Sequence, residues 1–274
     1  MGFDSVVVPI RKIHETAVVH PKAKIGKDVE IGPYSVIGEN VTIGDGTVIH
    51  PHVVIDGHTT IGKNCELFQG ASIGAAPQDL KYRGEETETI LGDRVVVHEC
   101  ATIHRAVGVG NETRVGNDVL LMAYTHVAHN CIVGNNVIMS NVATLAGHVI
   151  VEDRAVIGGL AAVHQFTKVG RNCMIGGMSR ISQDVPPFVI VAGNPAHVSG
   201  INSVGISRAG IAPEVRSNLK KAFKILYRSG NTLQEAIQIM EQELDSSEEV
   251  DHFMRFLRNV ERGICRASSR SSKE

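Results

Sequence analysis

Aliphatic residues recur every six positions from Ile13 to Ile181, as in Ile25, Ile37, Ile49, Ile61, Ile73, Leu91, Ile103, Val109, Val115, Leu121, Val133, Leu145, Ile157 and Val169. Stepping by six, only Asp79 and Glu85 break the series, and the phase beyond them is unchanged. Glycine often follows the aliphatic residue (Gly26, Gly44, Gly62, Gly92, Gly116, Gly134), and a small residue such as Val41, Cys65 or Ala71 stands four after it. A period of six fits neither a 3.6-residue helix nor two-residue alternation. It fits a chain that runs a short strand, turns and repeats, so that the aliphatic side chain always points to the axis of a coil. Three such faces make one coil, and coils stacked about 4.8 Å apart by backbone hydrogen bonds form a triangular prism of parallel sheet.

The pattern resembles the hexapeptide-repeat class, whose prisms wind left-handed against the usual crossover preference. The expected fold is therefore mainly β, a left-handed parallel β-helix over residues 13–190 after a lead-in at 1–12. Between Ala75 and Ile90 polar and charged residues replace the hexads, which predicts a loop leaving the prism; Arg105 to Arg114 is a milder irregularity. At Pro186 and Pro187 the period ends, because proline removes ladder donors. Residues 191–265 read as a helical domain. Its helices are expected at Pro213 to Ser229, with an apolar face of Val215, Leu219, Ala222, Phe223, Leu226 and Tyr227, from Thr232 through Leu244 behind a Thr232/Glu235 capping box, and from Val250 to Ile264. The tail at 266–274 is too polar to pack and is expected to be disordered.

Composition narrows the function classes. The chain has no Trp, 4% aromatic residues and 28 glycines, which suits a thin-walled repeat more than a conventional core. A net charge of −2 without clustered Lys and Arg argues against nucleic acid and membrane surfaces as partners. No apolar run is long enough for stable membrane insertion, and no secretory signal is present. Five scattered cysteines without a C-x-x-C pair point to free thiols in a reducing compartment.

Against this background, the stretch from Leu121 to Gly134 places two imidazoles, His126 and His129, in a repeat that has no structural need for them. His148 follows His129 by 19 residues, close to one coil, so the two rings should stack on adjacent layers; His104 and His164 belong to the same region. Histidine titrates near neutrality and suits a general base. Gly147, beside His148, is a candidate oxyanion donor, since glycine lets a substrate approach a backbone N–H. Stacked imidazoles also bind zinc in gamma-class carbonic anhydrases, but the spacing of His126 and His129 departs from that pattern, and no metal is expected. Flat prism walls that one chain cannot cover predict a homotrimer with the site between subunits.

The runs Gln78-Asp-Leu-Lys-Tyr, Thr102-Ile-His-Arg, Thr144-Leu-Ala-Gly-His, Ala162-Val-His-Gln-Phe and Gln183-Asp-Val-Pro-Pro resemble the acyl-(acyl-carrier-protein)–UDP-N-acetylglucosamine O-acyltransferases that open lipid A synthesis. The resemblance covers about Ile13 to Ile264. It implies transfer of a (3R)-hydroxyacyl group from acyl carrier protein to the 3-hydroxyl of UDP-N-acetylglucosamine, with His129 as base, Gly147 as oxyanion donor and no cofactor. It places His104, His126, His148, His164 and Gln165 around the sugar nucleotide, and Gln78, Asp79 and Lys81 on a loop that reaches sugar and acyl groups. It places Asn202 and Arg208 in the nucleotide phosphate region and Gly177 at the position that limits acyl length. Asn130 departs from the family, many of whose members carry Asp after the base histidine. The alternatives are the UDP-3-O-acyl-glucosamine N-acyltransferase, another hexapeptide acyltransferase, or a non-catalytic hexapeptide scaffold. A cytoplasmic bacterial enzyme is expected, with a mitochondrial or other organellar plant form as the alternative.

Overall fold

The computed structural model describes residues 12–267. Among these residues three sheets of nine, eight and ten strands, parallel except for the last strand of the third, form the walls of a left-handed β-helix, and the parallel strands pair with their counterparts in the neighbouring coils. Wall 1 contains Val36–Ile37, Thr102–His104, His126–Val127, Thr144–Leu145 and Ala162–Val163; wall 2 contains Val41–Ile43, His58–Ile61, Glu88–Leu91, Glu112–Val115 and Ile132–Val133; wall 3 contains Glu30–Ile31, Leu120–Leu121 and Met174–Ile175. Ile37, Ile43, Ile49, Ile55, Ile61, Leu67 and Ile73 fill the axis at 1% exposure or less, each contributing about 1.5–3 kcal/mol by leaving water.

The register exposes two interruptions. Ile43 pairs with Ile61, and Val133 with Val151, which are regular coils. Ile61 instead pairs with Leu91, and Leu91 with Val115. The first long coil thus extrudes two hexads, the loop around Asp79 and Glu85, and the second extrudes one hexad around Val107. Val109, which fits the six-residue count, does not reach the axis: it is 85% exposed on that second loop. Both loops leave from the same corner, between walls 1 and 2.

The three corners differ in chemistry. Between walls 2 and 3, carboxylate and amide side chains form a ladder: Asp45, Asp93, Asn117, Asn135 and Asp153 accept the backbone N–H of Lys27, Lys63, Asp93, Asn117 and Asn135 at 2.7–2.9 Å. Between walls 3 and 1 the corner is apolar and exposed at Tyr34, Tyr124, Leu160 and Met178. There Val142 holds a left-handed φ of +64°, a conformation that disfavours a branched side chain. The third corner carries the histidines.

The wall-3 sheet runs on past residue 190 through Val189–Ala192 and an antiparallel partner at His197–Ile201. Four helices follow: α1 at Ser203–Arg208, α2 at Pro213–Arg228, α3 at Leu233–Glu243 and α4 at Glu248–Arg258. The expected capping box of Thr232 and Glu235 is present. Helix α1 had no counterpart in the sequence reading, and α4 stops at Arg258 instead of Ile264, its last turn closed by the Asn259 N–H on the Phe256 carbonyl. Leu219, Ala222, Ala236, Met240, Val250, Phe253 and Leu257 form the helical core. Glu152 ties the two parts, accepting the Arg171 N–H and contacting His252 Nε2, both at 2.7 Å. Arg266 and Ala267 belong to the ordered structure, since the Arg266 carbonyl accepts the Val198 N–H at 2.8 Å and Ala267 bridges to Val198. The rest of the expected disordered tail lies outside the described residues, as do residues 1–11 of the lead-in.

Candidate active site

The histidine corner joins three consecutive layers. His104 and His126 stand edge-to-face on wall 1 with ring centroids 4.9 Å apart, and His129 and His148 do the same around the corner at 5.2 Å. Phe166, one coil beyond His148, stacks on it at 4.6 Å. These corner residues are set by the repeat: Asn130, His148 and Phe166 occupy equivalent left-handed positions, with φ of +59° to +61°.

His129 is the best enclosed of the group that still meets the overhanging loop. Its Nδ1 lies 2.9 Å from Asn130 Oδ1, and its Nε2 lies 3.8 Å from Asp79 Oδ2, an electrostatic contact too long for a hydrogen bond. Gly147 is required beneath it: a Cβ there would fall 2.5 Å from His129 Cε1 and 2.6 Å from Nε2. The His126 Nδ1 pairs with Thr102 Oγ1 at 2.7 Å.

Burial keeps the neighbours neutral. It lowers the His126 pKa to about 4, with the nearby His104 and His129 adding to the effect. His104 is lowered by burial and then by His129. His148 is lowered by burial first, with His129 and Lys81 adding to the shift and Asp79 opposing it. The His104 Nδ1 is buried without a partner. Such rings can give or take single hydrogen bonds but do not act as cations near neutral pH.

The remaining expected site residues divide. Asp79 faces His129, and Lys81 acts on His148 from the same loop, where its N–H caps Asp79 Oδ1 at 2.8 Å; Gln78 is exposed beside them. His164 and Gln165 are exposed on the layer of Phe166. Gly177 lies on the apolar corner, across wall 1 from the histidines, with space for a Cβ that is tight only against the Gly159 carbonyl at 3.2 Å. Asn202 caps α1: its amide donates to the Asn172 carbonyl at 2.9 Å and accepts the Gly205 N–H at 3.0 Å. Arg208 is exposed at the far end of α1. Thr102 and Phe166 were missed by the sequence reading, although the 18-residue step from His148 points to Phe166. Among the described residues no group of three His, Cys, Asp or Glu side chains is arranged to hold a metal, and no helix is long and apolar enough to cross a membrane.

Residues 12–45, 22–57 and 112–147 match the bacterial transferase hexapeptide repeat, and residues 184–265 match the second domain of UDP-N-acetylglucosamine O-acyltransferase. An acyl-(acyl-carrier-protein)–UDP-N-acetylglucosamine O-acyltransferase of Fusobacterium nucleatum is 52% identical over 210 residues, covering 77% of this chain and 82% of the relative. The chain belongs to this family. A member from Anaeromyxobacter is 46% identical over 211 residues, with the same coverage. Among solved structures, the UDP-N-acetylglucosamine O-acyltransferase of Moraxella catarrhalis superimposes with a TM-score of 0.90 at 37% identity, covering 93% of this chain and all of the other. The Arabidopsis UDP-N-acetylglucosamine acyltransferase gives 0.82 at 34% identity with the same coverage. Family membership decides among the sequence alternatives in favour of the O-acyltransferase.

Proposed function

We propose that this protein transfers a (3R)-hydroxyacyl group from acyl carrier protein to the 3-hydroxyl of UDP-N-acetylglucosamine, the opening step of lipid A synthesis, with His129 as the general base. The observation that carries the residue roles is the position of His129, half-enclosed under an extruded loop with Nε2 turned toward Asp79 and three neutral imidazoles around it. Nε2 takes the proton of the sugar hydroxyl as its oxygen attacks the thioester carbonyl carbon. The tetrahedral oxyanion then collapses, the carbon–sulfur bond breaks, and the imidazolium returns the proton to the departing thiolate.

Gly147 supports an oxyanion donor on a register argument. At the ladder corner the equivalent N–H of Lys27, Lys63, Asp93, Asn117 and Asn135 is capped by an Asx side chain one coil further on. One coil beyond Gly147 stands Gln165, an exposed side chain that makes no such bond among the described residues. His126, His148, His164, Gln165, Gln78 and Lys81 then surround the sugar nucleotide, with His104 behind them.

The exposed apolar corner at Tyr124, Leu160 and Met178, together with Leu80 at 95% exposure on the first loop, supports a homotrimer in which a second copy covers these residues and brings Gly177 to the acyl chain. Lys220, Lys224 and Arg228 recur every fourth residue along α2 beside a groove of about 920 Å³ that Phe223 and Tyr227 also line, a suitable landing for an acidic carrier protein. Arg171, another basic residue near the helical domain, is instead paired with Glu248 at 2.9 Å. We place the reaction in the cytoplasm of a bacterium, a reading supported by the bacterial sources of the curated relatives. Incubation with (3R)-hydroxyacyl carrier proteins of several lengths and UDP-N-acetylglucosamine should yield the 3-O-acyl sugar nucleotide. Transfer from none of them, with turnover of a different acyl donor, would overturn the reading.

A further inference from the structure

His129 has a neutral carboxamide behind it, and the orientation of that carboxamide is fixed without reference to the ring. Asn130 Oδ1 accepts the Val107 N–H at 2.9 Å, and Asn130 Nδ2 donates to the Val107 carbonyl at 3.1 Å. Turning the amide over would set donor against donor and acceptor against acceptor, so both bonds would be lost. The oxygen is therefore the atom that meets His129 Nδ1 at 2.9 Å. An amide oxygen only accepts, so Nδ1 must carry the hydrogen, and the lone pair is left on Nε2, the nitrogen that faces Asp79.

Val107 is itself held by the extruded hexad. Asn111 Nδ2 donates to the Val107 carbonyl at 2.8 Å, the next residue, Gly108, donates its N–H to Glu85 at 2.9 Å, and Thr87 Oγ1 donates to the Ala106 carbonyl at 2.8 Å. The second loop is thus braced by the first, which also carries Asp79. On the other side, the left-handed backbone of Asn130 is secured by its N–H on Thr113 Oγ1 at 2.9 Å.

We infer that Asn130 is a positioning residue that sets the tautomer of His129, and that the peptide of Val107 on the extruded hexad is the template that orients it. Neutral histidine in water mostly carries its hydrogen on Nε2, the atom that has to receive the substrate proton. Without the template the resting ring would hold its hydrogen in the wrong place. With Asn instead of Asp, the tautomer is selected without placing a negative charge behind the ring.

The inference rests on the acyl-transfer reading only where activity is measured, because the tautomer is a property of the ring and reads out without substrate. In the full-length protein with ¹⁵N-labelled histidine, His129 assigned through His129→Gln should show a protonated Nδ1 and a bare Nε2 when neutral. Asn130→Gly removes the amide and tolerates the left-handed backbone, so the hydrogen should move largely to Nε2. In that variant kcat should fall by roughly 10² to 10⁴, the order lost with a mispositioned catalytic histidine, while KM for UDP-N-acetylglucosamine changes little. Asn130→Asp, which still accepts at Nδ1, should restore the Nδ1–H tautomer and move the acid limb of the pH–rate profile upward. A wild-type ring with its hydrogen on Nε2, or an Asn130→Gly variant that keeps both tautomer and kcat, overturns the inference. The expected spectra in a protein that transfers no acyl group would leave the tautomer standing and remove the function.

Discussion

The ladder corner and the histidine corner are built from the same register of the same repeat and do opposite things with it. Two residues beyond the axial aliphatic, the ladder corner has Asp93, Asn117, Asn135 and Asp153, and the histidine corner has His129, Gly147 and Gln165. At the first, each side chain caps the backbone of the preceding coil, and the ladder's own polar groups satisfy one another. At the second, the capping side chain is replaced by a glycine, its space is taken by the His129 ring, and buried polar atoms such as His104 Nδ1 stay unpaired. A close-packed repeat can therefore acquire a reactive edge by giving up capping on a few layers, provided the remaining corners hold the coil.

Substitution of the base separates the two corners most sharply. His129→Ala should lower kcat by roughly 10² to 10⁴ while thermal stability stays near that of the parent, because the ring fills a corner and not the axis. Steady-state kinetics beside a melting curve checks it, and near-parental kcat would transfer the base role to His126. Gly147→Ala should come next. Its Cβ has to displace the ring that lies 2.5 Å away, so kcat should drop by roughly tenfold or more, as misplacement of a reacting group by about an ångström does. An alanine variant with full activity would show that the ring is not packed on this backbone.

The two corners were also unequally legible. The axis was readable because every coil must present an aliphatic residue to the same line, and phase survives any interruption made of whole hexads. That same property hid the second loop: an extrusion of one hexad leaves the count intact, so Val109 passes as axial until the pairing of Leu91 with Val115 shows that it is outside. The first loop showed itself only because it puts Asp79 and Glu85 in the series. His129 and His148 stood out as imidazoles in an aliphatic repeat. The bracing of Asn130 by Val107 did not, since it depends on how a loop folds back over a corner. The structural task of Asn202 was equally hidden, since its amide caps α1 from a position that the sequence marks only as polar.

Breaking the ladder gives the complementary result. Asn117→Ala removes the acceptor for the Asp93 N–H at 2.7 Å and should cost about 1 kcal/mol of stability, the usual net value of one hydrogen bond, with kcat unchanged. Denaturant titration measures the first and the transfer assay the second. A loss of activity larger than the loss of folded protein would mean that the ladder and histidine corners are mechanically coupled.

The last expected effect is a pH dependence that belongs to the histidine corner. Burial, with His104 and His129 nearby, lowers the His126 pKa from an ordinary value of 6.5 to about 4. Between these values the unfolded chain binds a proton that the folded chain refuses, so stability rises with pH across this window. The full contribution is present above pH 6.5 and is lost progressively as pH falls toward 4. At pH 5.5, one unit into the window, one group with this shift accounts for a loss of about 1.4 kcal/mol. His104 and His148, lowered in the same direction, add to the slope. The ladder amides of Asn117 and Asn135 do not titrate at all. His126→Gln, which keeps a polar group beside Thr102, should therefore flatten the stability–pH curve between pH 7 and 5 without changing its level above pH 7 by more than a local packing cost. Melting temperatures of parent and variant across that range decide it: equal slopes would mean that the lost proton site is elsewhere, and that the histidine corner opens to water before the coil unfolds.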